Sequence, residues 1–349
     1  MINLHNVYKG CSVLVTGGLG FIGSNLTRAL VRLGDVKVSI VDAMIPHQGG
    51  NLFNVDGVED RIEIHIGDMR DEKLISKLVS GVDYIFNLAG NVSHLDSMRF
   101  PLSDLDLNCA AQLTLLEACR QYNPHVKIVF TSTRQVYGKP LYLPVDEEHR
   151  IAPLDVNGIN KLAAEHYHLL YHRVYGTRTV CLRLTNTFGP RQLLRHDRQG
   201  FIPWFIRQAL EGGVIELFGD GKQRRDLTYV DDVVEALLMS ATSETAEGGV
   251  YNLGGSEPIT IAELAAELIK LTGRGELRTV PFPGERQLID IGNFYASHSK
   301  FSELTGWEPR TSLSTGLAQT IDFYLQHGKR YLHTDADSIP RSIQAAQRS

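Results

Sequence analysis

The sequence predicts an α/β protein in which a doubly wound parallel sheet carries a smaller C-terminal α/β lobe. Three observations lead to this prediction. Short β-branched runs alternate with helical patterns through the first half, a glycine-rich turn follows the first of these runs, and the pattern changes after residue 187. Strands that alternate with helices form parallel sheets that helices cover on both faces.

The first half contains six runs of strand length, and apolar residues recur at helical spacing between them. The predicted strands are 12–16, 37–42, 62–66, 83–88, 126–132 and 179–184. The predicted helices are 23–33, 72–78, 105–121 and 158–175. Residues 188–200 are rich in Gly, Arg, Gln and His and lack periodicity, which predicts a loop. The predicted lobe adds helices 203–210, 230–243 and 261–272, and strands 214–218 and 250–253.

The composition is that of an ordinary globular protein: of 349 residues, 43% are hydrophobic and 21% are charged, with a formal net charge of −5. Charges of both signs are spread along the chain, which argues against a nucleic-acid binder. The apolar runs are too short to span a membrane, and residues 1–10 lack the apolar core of a signal peptide. The cysteines lie in apolar stretches without paired spacing, so we expect reduced residues of a cytoplasmic protein and no metal site. They are Cys11, Cys109, Cys119 and Cys181.

A glycine-rich turn, TGGLGFIG at 16–23, follows the first predicted strand and opens the first predicted helix. Side chains at Gly17, Gly20 or Gly23 would block the tight turn or the approach of a pyrophosphate to the helix N-terminus. Asp42 ends the next strand, where a carboxylate accepts hydrogen bonds from both hydroxyls of an adenosine ribose and repels a 2′-phosphate. The pattern therefore predicts a Rossmann-type site for NAD rather than NADP.

A second acidic position follows the third predicted strand, in Gly67-Asp68-Met69. Asp68 is placed to bond the adenine amino group. The alternative is that an acid within 68–71 caps the next helix.

Several motifs give the chain a family resemblance. They are TGGLGFIG at 16–23, LAG at 88–90, TST at 131–133 with VYG at 136–138, Lys161, RLTNTFGP at 183–190, and GDG at 219–221 with YVDD at 229–232. From about residue 10 to residue 330, the chain resembles extended short-chain dehydrogenases/reductases of the nucleotide-sugar epimerase/dehydratase family. The resemblance implies NAD as cofactor, a nucleotide-diphosphate sugar as substrate, and a homodimer formed by the predicted helices 105–121 and 158–175.

The resemblance also implies a domain division and a cofactor site. Residues 1–187, with 226–255 returning to them, would form the NAD-binding Rossmann domain. Residues 188–225 and 256–335 would form the nucleotide-sugar lobe, and 336–349 a flexible tail. The implied NAD-binding residues are Gly17, Gly20, Phe21, Ile22, Gly23, Asp42, Asp68, Met69, Leu88, Ala89, Gly90, Thr131, Lys161 and Leu184.

The implied catalytic residues depart from the family at one position. Thr133 matches the family's hydroxyl and Lys161 its lysine, but Asn157 occupies the place of the tyrosine that exchanges a proton with the sugar hydroxyl. A neutral carboxamide cannot act as a base near pH 7.

Three interpretations of Asn157 stay open. Another group transfers the proton: Lys161 with a depressed pKa, a water held by Asn157, or a histidine such as His94 or His196. Alternatively, the chemistry needs less of a base, or the protein binds NAD and a nucleotide sugar without turnover.

The residues after Thr133 narrow the reaction class. The family's 4,6-dehydratases carry an Asp-Glu pair there, and its decarboxylases carry a Glu nearby, whereas this chain has Arg134 and Gln135. An elimination therefore lacks its proton donor, and epimerisation, most simply at C4 through a keto-sugar, becomes the leading hypothesis over a dehydratase, decarboxylase or reductase. Arg134 either meets an anionic substituent such as a uronate or forms a surface salt bridge.

The implied substrate site draws on both halves of the chain. Asn186 would contact the diphosphate, as would Arg225 and Arg286, whose guanidinium groups offer planar donor forks. Phe218 would flank the base. With His94, Thr133 and Arg134 these complete the predicted substrate residues. A solvated turn is the alternative for Arg225.

Overall fold

The computed structural model describes residues 4–255 and 257–332, in which a parallel seven-stranded sheet forms the central layer. Its strands lie side by side in the order β11 (Val250–Leu253), β6 (Arg178–Leu184), β5 (Lys127–Thr133), β4 (Tyr84–Asn87), β1 (Ser12–Thr16), β2 (Lys37–Asp42) and β3 (Ile62–Ile66). Every neighbouring pair is parallel. From β1 the chain continues to β2 and β3 on one side of the sheet, and it then crosses to β4, β5, β6 and β11 on the other side. The strand order therefore reverses between β1 and β4. Ligands of open α/β sheets bind at the carboxyl ends of the strands at such a reversal. The predicted fold class is confirmed.

The bounds of the strands agree closely with the sequence prediction. The central sheet comprises β1 Ser12–Thr16, β2 Lys37–Asp42, β3 Ile62–Ile66, β4 Tyr84–Asn87, β5 Lys127–Thr133, β6 Arg178–Leu184 and β11 Val250–Leu253. Three two-stranded ladders use β7 Asn186–Phe188, β8 Val214–Phe218, β9 Arg224–Arg225, β10 Leu227–Tyr229, β12 Ile259–Thr260 and β13 Glu276–Val280. The predicted loop 188–200 begins at the end of β7 and contains only a short 3₁₀ turn, Asp197–Gln199.

The helices of the described residues lie on both faces of the sheet and in the lobe. They are α1 Leu4–Tyr8, α2 Phe21–Arg32, α3 Glu72–Val79, α4 His94–Arg99, α5 Pro101–Leu105, α6 Ala111–Tyr122, α7 Val156–Tyr175, α8 Phe201–Glu211, α9 Val230–Thr242, α10 Ile261–Thr272, α11 Gly284–Gln287, α12 Ser299–Thr305, α13 Leu313–His327 and α14 Lys329–Leu332. The chain is helical throughout the predicted range 105–121, and a π-helical turn, Asp106–Ala110, joins α5 to α6 within it.

Two hydrophobic cores sandwich the sheet. Alternate residues of a strand point to opposite faces, so Val13 and Val15 of β1 pack in the core that includes α2 and α9, while Leu14 packs in the core that includes α3 and α6. Burial on both faces explains why the strands read as continuous apolar runs rather than as alternating ones.

The lobe has a hydrophobic core of its own. It draws on β8, α8, α10 and α13 through buried residues such as Ile206, Ile215, Leu264 and Leu317. The strand β11, from the segment predicted to return, pairs with β6 of the central sheet. The domain bounds remain a prediction, and the predicted tail, 336–349, lies outside the described residues.

The four cysteines are free, and three of them are buried. Burial raises the pKa of the Cys119 and Cys181 thiols. None of the helices in the described ranges has the length and apolarity that a membrane crossing requires.

Candidate active site

A cavity of about 440 Å³ opens at the carboxyl ends of the central strands. It brings together every predicted NAD-binding residue and the three predicted catalytic residues. Its lining also includes His94, Arg134 and Asn186, which were predicted to bind substrate. Phe218, Arg225 and Arg286 are not part of this lining.

The glycine-rich turn at one end of the cavity has no room for side chains. A Cβ atom on Gly23 would lie 2.1 Å from the carbonyl oxygen of Gly17, and Gly17 itself has a φ of +68°. Helix α2 begins behind this turn with Gly20 as N-cap, and no side chain caps it. The first amides of α2 therefore face the cavity unblocked, which is the arrangement that binds a pyrophosphate.

Asp42 lies beside this turn with its carboxylate held by the backbone. Its two oxygens accept hydrogen bonds from the amides of Leu19 (3.1 Å) and Met44 (2.8 Å). Burial raises the pKa of the Asp42 carboxyl, and these two amides act in the opposite direction. Each carboxylate oxygen has a second lone pair for a ribose hydroxyl.

Asp68 is engaged by its neighbour Arg70, whose Nε and Nη2 donate to its carboxylate at 2.9 and 2.6 Å. Hydrogen bonding by Arg70 lowers the pKa of Asp68. The helix cap in this segment is Asp71, which accepts from the amides of Lys73 and Leu74. Asp68 is thus not the capping residue, and its predicted contact with adenine remains a prediction.

Lys161 also lines the cavity and is almost fully buried. Its Nζ donates to the carbonyl oxygen of Thr131 at 2.8 Å and lies 4.6 Å from the centre of the Phe130 ring. Burial lowers the pKa of the Lys161 ammonium to about 8, although the carboxylates of Asp104 and Glu165 act in the opposite direction.

Asn157, the substitute for the family's tyrosine, is 2% exposed and is tied into a polar network. Its Nδ2 donates to the carbonyl oxygen of Asn91 at 2.8 Å and to Oδ2 of Asp104 at 3.0 Å. Both amide hydrogens are therefore used inside the protein. Oδ1 is the polar atom that Asn157 retains for a ligand.

The centre of this network is the buried carboxylate of Asp104. Three further amides surround it: Asn160 donates to Oδ1 at 2.8 Å, and Asn91 and Asn108 each donate to Oδ2 at 3.1 Å. We call these four asparagines the amide cage of Asp104. A buried charge needs such donors, because an unpaired one costs several kcal/mol.

His94 begins helix α4 on the cavity wall, and two side chains hold its imidazole. Nδ1 forms a short hydrogen bond with Oδ2 of Asp155, and Nε2 lies 2.5 Å from Nε2 of Gln135. Asp155 is also the N-cap of α7, since its Oδ1 accepts from the amide of Gly158 at 2.7 Å. One carboxylate thus fixes both the start of α7 and the orientation of His94.

Asp155 stays ionised in this arrangement. Burial alone would raise the pKa of its carboxyl. The hydrogen bond from His94, the amide of Gly158 and the charges of His94 and Arg134 outweigh burial and leave the pKa below its ordinary value.

Thr133 ends strand β5, Arg134 follows it, and both residues line the cavity. Oγ1 of Thr133 accepts from the amide of Gln135 at 3.3 Å, and Arg134 donates to Oδ1 of Asn186 at 3.4 Å. The Arg134 guanidinium lies 5.2 Å from the centre of the Phe294 ring. Burial lowers its pKa to about 10, and Arg225 acts in the same direction. The described partners of Arg134 are an amide and a ring, rather than the carboxylate of a surface salt bridge.

The three predicted lobe residues have partners of their own. Arg225 is buried and donates to the carbonyl oxygens of Arg224 and Gly292. Arg286 pairs with Asp197 of the 188–200 loop, and its guanidinium lies 5.3 Å from the centre of the Phe218 ring. Burial excludes the solvated-turn alternative for Arg225. The predicted contacts of these residues with a nucleotide remain predictions.

His196, the other histidine considered as a base, does not line the cavity. Its Nε2 lies 3.2 Å from the carbonyl oxygen of His47, and burial lowers its pKa.

Sequence reasoning missed the amide cage and the partners of His94. One signal was available: Asn157, Asn160 and Lys161 are spaced three and four residues apart, which places them on one helical face. The pairing of His94 with Asp155 spans 61 residues and depends on tertiary structure.

The fold and this cavity define a dinucleotide-binding α/β protein. The glycine turn, the open start of α2 and Asp42 fit NAD, which supplies a hydride acceptor and donor when bound. Within the described residues, no group of three or more His, Cys, Asp or Glu side chains is arranged to hold a metal ion.

Comparison with known proteins places the chain in a family. The model described as the NAD dependent epimerase/dehydratase family matches residues 13–254. The chain belongs to this family, which confirms the predicted family, the NAD cofactor and the prediction of an enzyme.

The chain is similar along most of its length to individual family members. It is 34% identical over 318 residues to a putative UDP-glucose 4-epimerase of Methanocaldococcus jannaschii, covering 89% of this chain and 97% of that one. An epimerase structure from Methanothermobacter thermautotrophicus superposes with a TM-score of 0.87 at 28% identity, over 94% of this chain and 96% of that one. The UDP-glucuronic acid 4-epimerase of Bacillus cereus, solved with UDP-glucuronic acid and NAD, gives 0.80 at 29% identity, over 90% and 99%.

Proposed function

We propose that the protein epimerises a nucleotide-diphosphate sugar at C4, using NAD and a keto-sugar intermediate. The observation that carries this proposal is the distribution of acids in the cavity. Among the described lining residues, the carboxylates are Asp42 and Asp68, both at the glycine-turn end. At the other end stand Thr133, Arg134 and Gln135, so the acid–base pair that an elimination requires is missing there.

The relatives support the same reaction class, since those named above include 4-epimerases. A C4 epimerase removes and returns hydrogen at one carbon, and it needs only one acid–base group at that carbon's hydroxyl. A dehydratase or decarboxylase must also break a bond at a neighbouring carbon. The cavity fits the simpler requirement.

The test is turnover of a panel of nucleotide sugars. The purified protein is incubated with NAD and with UDP-glucose, UDP-glucuronic acid or dTDP-glucose, and the products are identified by NMR while absorbance near 340 nm reports reduced cofactor. Inversion at C4 with transient reduced cofactor is the expected result. Loss of water or of carbon dioxide would assign the protein to another branch, and binding without any product would make it a binding protein.

We further propose a homodimer that forms through α5, α6 and α7. Large apolar side chains are exposed on these helices: Leu102, Leu105, Tyr122, Ile159, Leu170, Val174 and Tyr175. Contiguous exposed apolar surface marks interaction sites. Light scattering after size-exclusion chromatography should give twice the mass of one chain. The variant Val174→Glu should have a lower mass, closer to that of one chain. A monomeric wild type would contradict the proposal.

We also propose that the protein is cytoplasmic. The support is its four free cysteines, a state that reducing compartments maintain. Fractionation of cells that produce the protein tests this.

A further inference from the structure

We propose that the His94–Asp155 pair is the acid–base group of the reaction and replaces the missing tyrosine. This inference rests on the proposed function, since it assigns a residue to the proton transfer of that reaction. Three observations carry it: the chemistry of the cavity wall, the orientation of the imidazole, and the use that Asn157 makes of its amide.

The first observation is that few titratable side chains reach the cavity. Those among the described lining residues are Asp42, Asp68, His94, Arg134 and Lys161. The two aspartates lie at the glycine-turn end and bond to backbone amides or to Arg70. A guanidinium has no lone pair for a proton. Only His94 and Lys161 remain for the sugar end.

Lys161 is poorly placed for proton exchange with a hydroxyl. Its ammonium donates to the carbonyl of Thr131 and faces the Phe130 ring. In its protonated form it has no lone pair to offer. It can hold a cofactor ribose or stabilise negative charge, as the family resemblance implies.

The second observation is that Asp155 orients His94 as a base. The Asp155 carboxylate accepts the Nδ1 hydrogen, so the neutral ring carries its lone pair on Nε2. In this tautomer Nε2 accepts from the Gln135 amide at 2.5 Å. The imidazole side chain is 36% exposed, so a ligand in the cavity can reach it. A sugar hydroxyl that donates to Nε2 takes the place of the Gln135 amide.

The proton and hydride then leave separate atoms of the sugar. As the C4 hydrogen departs as hydride to NAD, the hydroxyl proton moves to Nε2 and the C4–O bond becomes a carbonyl. Asp155 stabilises the imidazolium that results, because an ionised carboxylate at Nδ1 favours the charged ring. Once the keto-sugar has turned its other face towards the hydride, return of the hydride to that face and of the proton from Nε2 gives the epimer, so all atoms and charges balance.

The third observation is that Asn157 cannot itself exchange the proton of the sugar hydroxyl. Its amide hydrogens are committed to Asn91 and Asp104. It therefore contributes an acceptor oxygen, which can orient a sugar hydroxyl without exchanging its proton.

The charged groups around His94 come from several elements. Asp155 precedes α7, Arg198 of the loop pairs with Asp96 on α4 itself, and Asp104 of α5 lies in its amide cage. Arg134, after β5, acts on Asp155. Of these, the Asp155 carboxylate is the charge in contact with the ring.

The test compares three single variants of the full chain with NAD bound. His94→Gln keeps a polar side chain of similar size but cannot exchange protons. Asp155→Asn keeps an oxygen to cap α7 and presents an NH₂ group to Nδ1. His125→Gln, at an exposed histidine, is the matched control. NAD and UDP affinities from calorimetry and the midpoint of thermal unfolding show whether each variant retains its fold and its binding.

We expect His94→Gln to lower kcat by about 10²- to 10⁴-fold with unchanged NAD and UDP affinity. Added imidazole should restore activity to a fourth variant, His94→Ala. Asp155→Asn should lower kcat while His125→Gln leaves it unchanged. In the protein without substrate, a downfield proton resonance from the Nδ1 hydrogen should be present and should vanish in Asp155→Asn.

Failure of the His94 assignment and failure of the epimerase proposal give different results. An active wild type whose kcat and pH profile survive in His94→Gln overturns the assignment of His94 and leaves the epimerase proposal intact. A wild type that binds NAD but converts no sugar overturns the epimerase proposal, and the assignment falls with it.

Discussion

Restoring the family's tyrosine by Asn157→Tyr tests whether the site has lost a residue or has been rebuilt. The amide cage of Asp104 predicts that this substitution damages the protein. It removes a hydrogen bond to a buried carboxylate, worth about 1.5–3 kcal/mol, and one to a backbone carbonyl, worth about 0.5–1.5 kcal/mol. It also forces a larger side chain into a position that is 2% exposed, which costs about 1–3 kcal/mol more.

The expected loss in the free energy of unfolding is therefore about 3–7.5 kcal/mol, a large part of the roughly 5–15 kcal/mol that stabilises a typical domain. Urea titrations followed by circular dichroism measure it. Asn157→Leu, of similar size to asparagine, should lose about 2–4.5 kcal/mol because only the hydrogen bonds disappear. Lys73→Tyr, on the exposed face of α3, controls for the tyrosine itself and should stay within about 0.5 kcal/mol of wild type.

The result that would refute this reasoning is a variant Asn157→Tyr that is as stable as wild type and more active. It would show that the amide cage tolerates the phenol and that the tyrosine was simply lost. The third observation behind the assignment of His94 would then be lost.

Three further predictions concern the cofactor, the pH and the substrate. Asp42→Ala should weaken NAD binding about 10- to 100-fold in calorimetry, because hydrogen bonds to a charged group are worth about 1.5–3 kcal/mol; an affinity equal to that of the exposed control Asp60→Ala would contradict the cofactor placement. Burial raises the pKa of Asp226 to about 6. The native state therefore binds this proton more tightly than the unfolded chain does. The protonated Asp226 stabilises the fold by its full amount below pH 3.8, and this contribution is lost as the pH rises to about 6. Asp226→Asn should gain about 2–3 kcal/mol relative to wild type between pH 4 and pH 7 in chemical unfolding, and a constant difference would argue against a buried neutral acid. Arg134→Gln should raise KM for UDP-glucuronic acid about 10- to 100-fold more than for UDP-glucose if Arg134 binds a uronate, whereas equal effects would exclude that role.

The sequence was sufficient for the sheet and for bringing together the residues that line the cavity near the glycine turn. Strands such as 37–42 and 62–66 are bounded as predicted, because burial on both faces makes each a distinct apolar run. The glycine turn and Asp42 are likewise local signals, since the geometry they serve is set within one strand–turn–helix unit.

The sugar end was less predictable because its contacts join distant segments. Asp104 and Asn157 are 53 residues apart, and His94 and Asp155 are 61 apart. In the sequence these are separate polar residues, and each of them fits the role of a solvated or structural side chain. Only the packing of α4, α5 and α7 against one another makes them neighbours.

The π-helical turn Asp106–Ala110 fixes the rotation of α5 relative to α6, and these two helices have different roles. Before it, Asp104 faces the amide cage; after it, Leu115 and Leu116 face the sheet. Each residue of an α-helix advances the chain by about 100° around its axis. Deleting one residue from this turn would rotate α5 by that angle against α6, so that either Asp104 leaves its donors or the leucines leave the core. The length of the chain at this turn, and not only its composition, is therefore a constraint on any variant that is to keep both the site and the fold.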